Sequence, residues 1–373
     1  MNDLWDVIFQ QNKAKEVLTN IYKSRRVPHA FIFSGREGIG KFFTAVQFAK
    51  LLNTNPANPQ SSEIIHNKIA ALQEPYVKLV IPLPRGKNET GEDSATEKLP
   101  QSVLESLQDQ IHNKSINPYG KISIEGANTI KINSIRDIKK FILLSTESIL
   151  FRIIIIDDAH LMNDQAQNSL LKNLEEPPEG IIFLLVTDQK EKLLPTIQSR
   201  CWVIDFEPLS ENSVREILIR HFSIEPALAE KASKFSEGSV QSALSLITQF
   251  DLKEIQEHTI SFLRFALAKR YNSAYRELSN FISDTSRNSL TILIRMIKSW
   301  LDDAVKNKNN LENYYFEDFR ETLEKFNNRY YKTNINALMT DLDNLESYYD
   351  KNVNLNVLCL SLIFEIASLT IWN

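Results

Sequence analysis

The sequence predicts an α/β fold, a parallel sheet that carries a phosphate-binding loop, followed by a strand-poor helical part. Three observations predict it. Gly35-Arg36-Glu37-Gly38-Ile39-Gly40-Lys41-Phe42 lies between the apolar run Ala30-Phe31-Ile32-Phe33-Ser34 and the helical pattern Phe43 to Lys50, the strand, loop, helix order that such a loop requires. Near-continuous apolar runs recur at Phe151 to Ile156 and at Ile181 to Val186, separated by helical patterns, as expected of parallel strands covered on both faces. Beyond Leu209 the periodicity is helical to the end of the chain.

Taken in order, a helix is expected near Gln11 to Arg25, then the strand at Ala30, the loop and its helix. The interval from Asn53 to Lys121 is read as an insertion. Its centre, Pro82 to Ser94, is charged, holds Gly and Pro and lacks periodicity, which predicts a flexible loop rather than a catalytic element. Leu209 to about Phe250, broken at Gly238, reads as a small helical lid. The remainder, rich in Tyr, Asn and Leu, reads as helices whose aromatic stripes pack against each other. The expected division is 1–207, 208–250 and 251–373.

A chain of 373 residues with 43% hydrophobic and 24% charged residues can bury two or three cores without staples. A net charge of −4 gives no electrostatic reason for strong independent nucleic-acid binding. The only cysteines, Cys201 and Cys359, make neither a disulfide framework nor a zinc site built from Cys. No zinc is expected, and a reducing, cytoplasmic setting is the default. Asp3 and Asp6 stand where a signal peptide would be basic. The apolar tail Val357 to Trp372 is short for a membrane span and carries Glu365, so a buried terminal helix is expected.

The chemistry resides in three places. A loop of the form G-x-x-x-x-G-K-[ST] turns backbone amides and a Lys ammonium toward a polyphosphate and offers a hydroxyl to magnesium. Here Gly35, Gly38, Gly40 and Lys41 keep the cradle, while Phe42 stands where the hydroxyl should be. The strand ending in Ile156-Asp157-Asp158 places Asp157 where a magnesium-shell acid belongs. Asp158 has the charge of a water-activating acid but is one methylene shorter than Glu, setting its carboxylate back by roughly 1.5 Å, enough to matter for a base. Finally, Arg200 follows Pro195-Thr196-Ile197-Gln198-Ser199, and an Arg at a helix end on a subunit edge can reach a neighbour's γ-phosphate. Cys201 beside it reads as a small buried hydrophobe.

Together with these, Arg26-Val27-Pro28-His29-Ala30, Asn168 to Pro178 (NSLLKNLEEPP) and Leu194 to Cys201 (LPTIQSRC) resemble the clamp-loader family of AAA+ proteins, most of all the delta-prime subunits of bacterial DNA polymerase III. The resemblance covers about residues 5–245. It implies a RecA-like AAA+ parallel-sheet domain, a small helical lid and an all-α C-terminal collar domain. Lys41 and the amides around Gly38 and Gly40 would line a phosphate site, with Asp157 and Asp158 in the acidic motif and Thr187 as first sensor. Arg200 would serve an adjacent subunit in trans. The implied partners are ATPase subunits, a clamp-opening delta-type subunit and, through the complex, the sliding clamp and primer-template DNA.

Departures from an active ATPase share one direction. Phe42 removes the metal hydroxyl, Asp158 replaces Glu, and Gln241 stands where active subunits carry a second-sensor Arg. Phe9 replaces a Gly beside the expected base pocket, which its ring would narrow or fill. The four-Cys zinc module common in the family is missing from the interval that the insertion occupies. The sequence therefore predicts a non-hydrolysing clamp-loader subunit that binds ATP or ADP weakly or not at all. The competing readings are an active AAA+ ATPase and, against the acidic balance, a stand-alone DNA-binding protein.

Overall fold

The computed structural model describes residues 2–143, 149–282, 287–331, 333–348 and 353–369. They divide into two compact units, one of Met1–His221 with Glu237–Gln241 and one of Phe222–Ser236 with Ser242–Asn373.

In the first unit a five-stranded parallel sheet has the order β2-β3-β4-β1-β5, from β1 (Ala30–Ser34), β2 (Val77–Val80), β3 (Arg152–Ile156), β4 (Ile181–Thr187) and β5 (Trp202–Asp205). Its helices are α1 (Asn2–Asp6), α2 (Asn12–Ser24), α3 (Lys41–Leu52), α4 (Pro59–Ala70), α5 (Gln101–Ile116), α6 (Ile132–Ile142), α7 (Asp164–Glu175) and α8 (Pro195–Gln198). This is the parallel α/β sheet with a phosphate loop that the sequence predicted. The central strands are apolar on both faces because helices cover both. Ala30 and Ile32 of β1 join Ile154, Ile156, Phe183 and Leu185 in a core closed by Ile135 and Ile138 of α6 and by Leu170 and Leu174 of α7. The alternate residue Phe31 meets Phe48 of α3 edge-on at 5.4 Å, as the period of two along a strand requires.

The parallel register sets Ser34 beside Thr187 and Val80 beside Ile156. The strands therefore end together, and the phosphate loop, the acidic pair and Thr187 emerge at the carboxyl edge of the sheet, where open α/β sheets form their binding crevice.

Two expectations about the interval from Asn53 to Lys121 need correction. It contains β2, which pairs with β3 and is part of the sheet proper. Its apolar run is interrupted by Lys78 and closed off by Pro82, and three of its four residues are only half-buried. The stretch Pro82 to Ser94 does lack regular secondary structure, yet it is tied down. Glu89 is buried, accepts from the Gly86 amide at 2.7 Å and from Asn133 Nδ2 at 3.1 Å, and pairs with Lys131 at 2.7 Å.

Three helices follow β5, α9 (Glu211–Phe222), α10 (Pro226–Lys234) and α11 (Val240–Gln249), and the boundary between the units runs through α9 and α11. The second unit continues with α12 (Leu252–Leu267), α13 (Tyr271–Phe281), α14 (Arg287–Lys308), α15 (Arg320–Arg329), α16 (Ile335–Ser347) and α17 (Leu355–Ser368). Phe262, Ile297, Leu301, Phe316 and Leu362 fill its interior. The expected burial of the terminal helix holds for one face only. Leu358, Leu362 and Ile366 are buried, whereas Val357, Leu360 and Phe364 are exposed, Phe364 at 57%, because helical spacing cannot place the whole of an apolar run on one face. Trp372, at the end of that run, lies outside the described residues. Among the described residues no helix is long and apolar enough to cross a membrane.

Candidate nucleotide cleft

The turn between β1 and α3 is built by glycines with left-handed backbone. Gly38 has φ of 74°, and a Cβ there would lie 2.3 Å from Ser239 Oγ and 2.6 Å from Gln241 Cβ, so no other residue fits. The segment Glu237–Gln241 thus seats directly on the loop, with the Val240 amide donating to Gly38 O at 2.9 Å. At Gly40, φ is 95° and an added Cβ would meet the Tyr119 ring at 3.2 Å. Gly35 stands where β1 leaves the sheet, its amide donating to Thr187 O at 3.3 Å.

Lys41 is only 7% exposed. Its ammonium donates back to the loop's own carbonyls, Gly35 O at 2.6 Å and Arg36 O. Burial lowers its pKa from 10.5 to about 8, against the opposing pull of Asp188 and Asp157. The phosphate-binding cation is therefore spent on the cradle itself.

Asp157 and Asp158 leave the end of β3, Asp158 with a left-handed φ of 52°. Each meets a lysine from the interval read as an insertion. Lys114, at the end of α5, pairs with Asp157 Oδ2 at 3.0 Å, donates to Gly120 O at 2.6 Å and lies 4.2 Å from the centre of the Phe42 ring. Lys121 lies 3.6 Å from Asp158 Oδ2. Burial, then the Asp157 charge, raises the Asp158 pKa from 3.8 to about 6.

Between pH 3.8 and about 6 the folded state keeps a proton on Asp158 that the unfolded chain has lost, so stability falls as pH rises through this window and the penalty is complete above it. Asp158→Asn is expected to stabilise the protein above pH 6 by on the order of 2 kcal/mol, and to have no such effect below the unfolded pKa. Thermal melts of both proteins across that window would check it. An equal difference at acid and neutral pH would refute it.

Thr187, buried at the end of β4, accepts from the Gln189 amide at 3.1 Å and lies 3.2 Å from His160 Nδ1. The same His160 nitrogen is 3.1 Å from Asp188 Oδ1. That carboxylate oxygen nevertheless lacks a hydrogen bond of good geometry, and burial lowers the His160 pKa, favouring the neutral ring. Asp158, His160 and Asp188 hold ligand-type atoms within 4.8 Å of one another, among the described residues the one such group. Lys121 already supplies the cation beside Asp158.

Gly38, Gly40, Lys41, Asp157, Asp158 and Thr187 thus surround one cleft, closed on its remaining side by Lys114 and Pro118 to Lys121. The cavity left is about 40 Å³, room for a few waters, whereas sites for ligands of nucleotide size are typically about 300–1,000 Å³. A magnesium nucleotide does not fit these residues. Phe42 brings a ring in place of a metal-binding hydroxyl, Lys114 holds Asp157, and Tyr119, 5% exposed, leans on Gly40 with its ring 5.8 Å from that of Phe43.

Arg200, Phe9 and Cys201 lie outside this cleft. Arg200 follows α8, does not line this cleft, pairs with Glu175 at 2.9 Å and donates to Thr196 O at 2.9 Å. Phe9 does not line this cleft. It borders a separate recess of about 590 Å³ with Trp5 and Ile8, and Arg220 sits 5.9 Å from its ring. Cys201 is partly buried and its thiol pKa is pushed up to about 12 by desolvation, which leaves it unreactive. The residues that sequence reasoning missed are Lys114, Tyr119 and Lys121. No motif marks them, and the only available signal was their basic and aromatic character in an interval facing an acidic strand end.

The family described as DNA polymerase III, delta subunit, matches residues 10–210. The chain is similar to DNA polymerase III subunit tau of Bacillus subtilis, 28% identical over 65% of this chain and 37% of that protein. It is also similar to the delta' subunit of the same organism, 25% identical over 67% of this chain and 63% of that one. The matched part thus spans well under two thirds of the length of the tau relative. A solved structure of a DNA polymerase III gamma subunit-related protein from Thermotoga maritima covers 95% of this chain and 99% of its own, with 15% identity and a TM-score of 0.42.

Proposed function

The chain belongs to the DNA polymerase III delta subunit family of AAA+ clamp-loader proteins, and on that premise we propose that it is a non-hydrolysing, delta-prime-like loader subunit. In this reading residues 1–207 form the nucleotide-type domain, 208–250 the lid and 251–373 a collar that joins other loader subunits in a cytoplasmic hetero-oligomer. The complex, with its ATPase and delta-type subunits, would place the sliding clamp on primed DNA.

The observation that carries the proposal is the state of the cleft. Phe42 replaces the metal hydroxyl, Lys41 is engaged by its own loop, and Lys114 holds Asp157. Hydrolysis needs a metal bridging the phosphates and a positioned water, and these side chains supply neither. Arg200, outside its own cleft and 35% exposed at its side chain, suits action on a neighbour's ATP. The rival, an active ATPase, draws on the tau relatives, but it requires a cleft that can take nucleotide.

Steady-state ATP hydrolysis by the purified chain, and by a reconstituted loader carrying Lys41→Ala in this subunit, separates the two. The chain alone is expected to show no turnover, and Lys41→Ala is expected to leave that of the loader within about twofold. Turnover by the isolated chain, or collapse with Lys41→Ala, would sink the proposal.

A further inference from the structure

We infer that the segment Lys114–Lys121 is an internal occupant of the phosphate-loop cleft, excluding nucleotide by taking up the groups that would bind it. The inference deepens the reading above and rests on it only in treating the cleft as a phosphate-loop site. It gives a role to the end of the interval between the phosphate loop and the acidic strand.

Three contacts from one short stretch meet three separate parts of the site. The Lys114 ammonium, buried with the residue, sits on Asp157 at 3.0 Å and against the Phe42 ring at 4.2 Å. It delivers positive charge to the acid that would otherwise approach a metal, from over the residue that has lost the metal ligand. The Tyr119 ring lies over Gly40, where an added Cβ would approach it at 3.2 Å, and meets Phe43. Lys121 lies 3.6 Å from Asp158 and offsets part of its charge. An uncompensated carboxylate pair in this cleft would be costly, and two lysines from the same segment lower that cost without removing it.

The segment is itself built to hold this shape. The Asn117 side chain accepts from the Tyr119 and Gly120 amides at 3.2 and 3.1 Å, an Asx-type turn that needs no outside support. Gly120 O then accepts from Lys114 at 2.6 Å, closing the turn onto the helix that precedes it. Phe42 and the segment are complementary, since a Ser or Thr at position 42 would leave the Lys114 ammonium without the ring it lies against. The chain's own cation and ring thus occupy the cleft in place of a ligand, which makes its conformation independent of nucleotide.

The test is titration of the full-length chain with a fluorescent ADP analogue and magnesium. The wild type is expected to show no saturation at millimolar ligand, whereas Lys114→Ala/Tyr119→Ala is expected to gain binding at least about tenfold tighter. Adding Lys41→Ala to that variant should remove the gain. Saturable, Lys41-dependent binding by the wild type overturns the inference, as does a folded double variant that gains none. Should the double variant fail to fold, hydrogen exchange in the wild type decides. Protected amides across 114–121, unchanged by the ADP analogue, support the occupant, and unprotected ones overturn it. Binding without hydrolysis by the wild type would sink the internal occupant alone and leave the inert-subunit reading standing, whereas hydrolysis would sink that reading first.

Discussion

Arg200→Ala is expected to lower the ATP turnover of the assembled loader, with clamp and primed DNA present, by about a thousandfold, the loss usual when a finger arginine is withdrawn from a phosphoryl-transfer site. Stability should hardly change. The Arg200–Glu175 pair is an exposed ion pair, with side chains 35% and 48% accessible, and such pairs contribute about 0–1 kcal/mol. Its weakness suits the proposed role, because the guanidinium can exchange Glu175 for a neighbour's γ-phosphate at little cost. Arg200→Lys should recover little, since a point ammonium does not reproduce the planar fork. Turnover within twofold of wild type, with assembly intact, would mean that Arg200 is an ordinary surface charge.

Lys131→Met is expected to destabilise the protein by about 3 kcal/mol, near the lower limit for removing one partner of a buried pair. Lys131 meets Glu89 at 2.7 Å with both side chains largely inaccessible, and it also donates to Pro84 O at 2.9 Å and Ala95 O at 3.2 Å. Removing the ammonium strands a buried carboxylate and two carbonyls, and loosens the stretch from Pro82 to Ser94 that these bonds hold. Denaturant unfolding would measure the loss, and limited proteolysis should shift to that stretch. Glu89→Leu combined with Lys131→Met should cost less than the two single changes summed, because no charge is then left unpaired. A loss below 1 kcal/mol for Lys131→Met would show that water reaches Glu89.

The reading of Pro82 to Ser94 as a loose loop failed for a physical reason. Local periodicity reports which residues face a core, and this stretch has none, but its order comes from Glu89 meeting Lys131 and Asn133, residues remote in sequence. Edge strand β2 escaped notice because its short run is interrupted by Lys78 and cut off at Pro82, with three of its four residues only half-buried. The terminal helix shows the converse error, an apolar run taken as wholly buried when its Phe364 side is exposed.

The candidate site divides along the same line. Gly35 to Lys41, Asp157 with Asp158, and Thr187 were legible because each sits at a strand end, and the strands themselves are marked by long apolar runs. The missing hydroxyl at Phe42 was equally plain, being a change within a motif. That a parallel sheet gathers these strand ends at one edge follows from chain topology. By itself, then, the sequence determined the phosphate-loop fold and the residues that converge there. Only the tertiary structure decided what fills the space between them. Lys114, Tyr119 and Lys121 carry no local signature, because a salt bridge or a ring over a glycine depends on distances across the fold rather than on spacing along the chain.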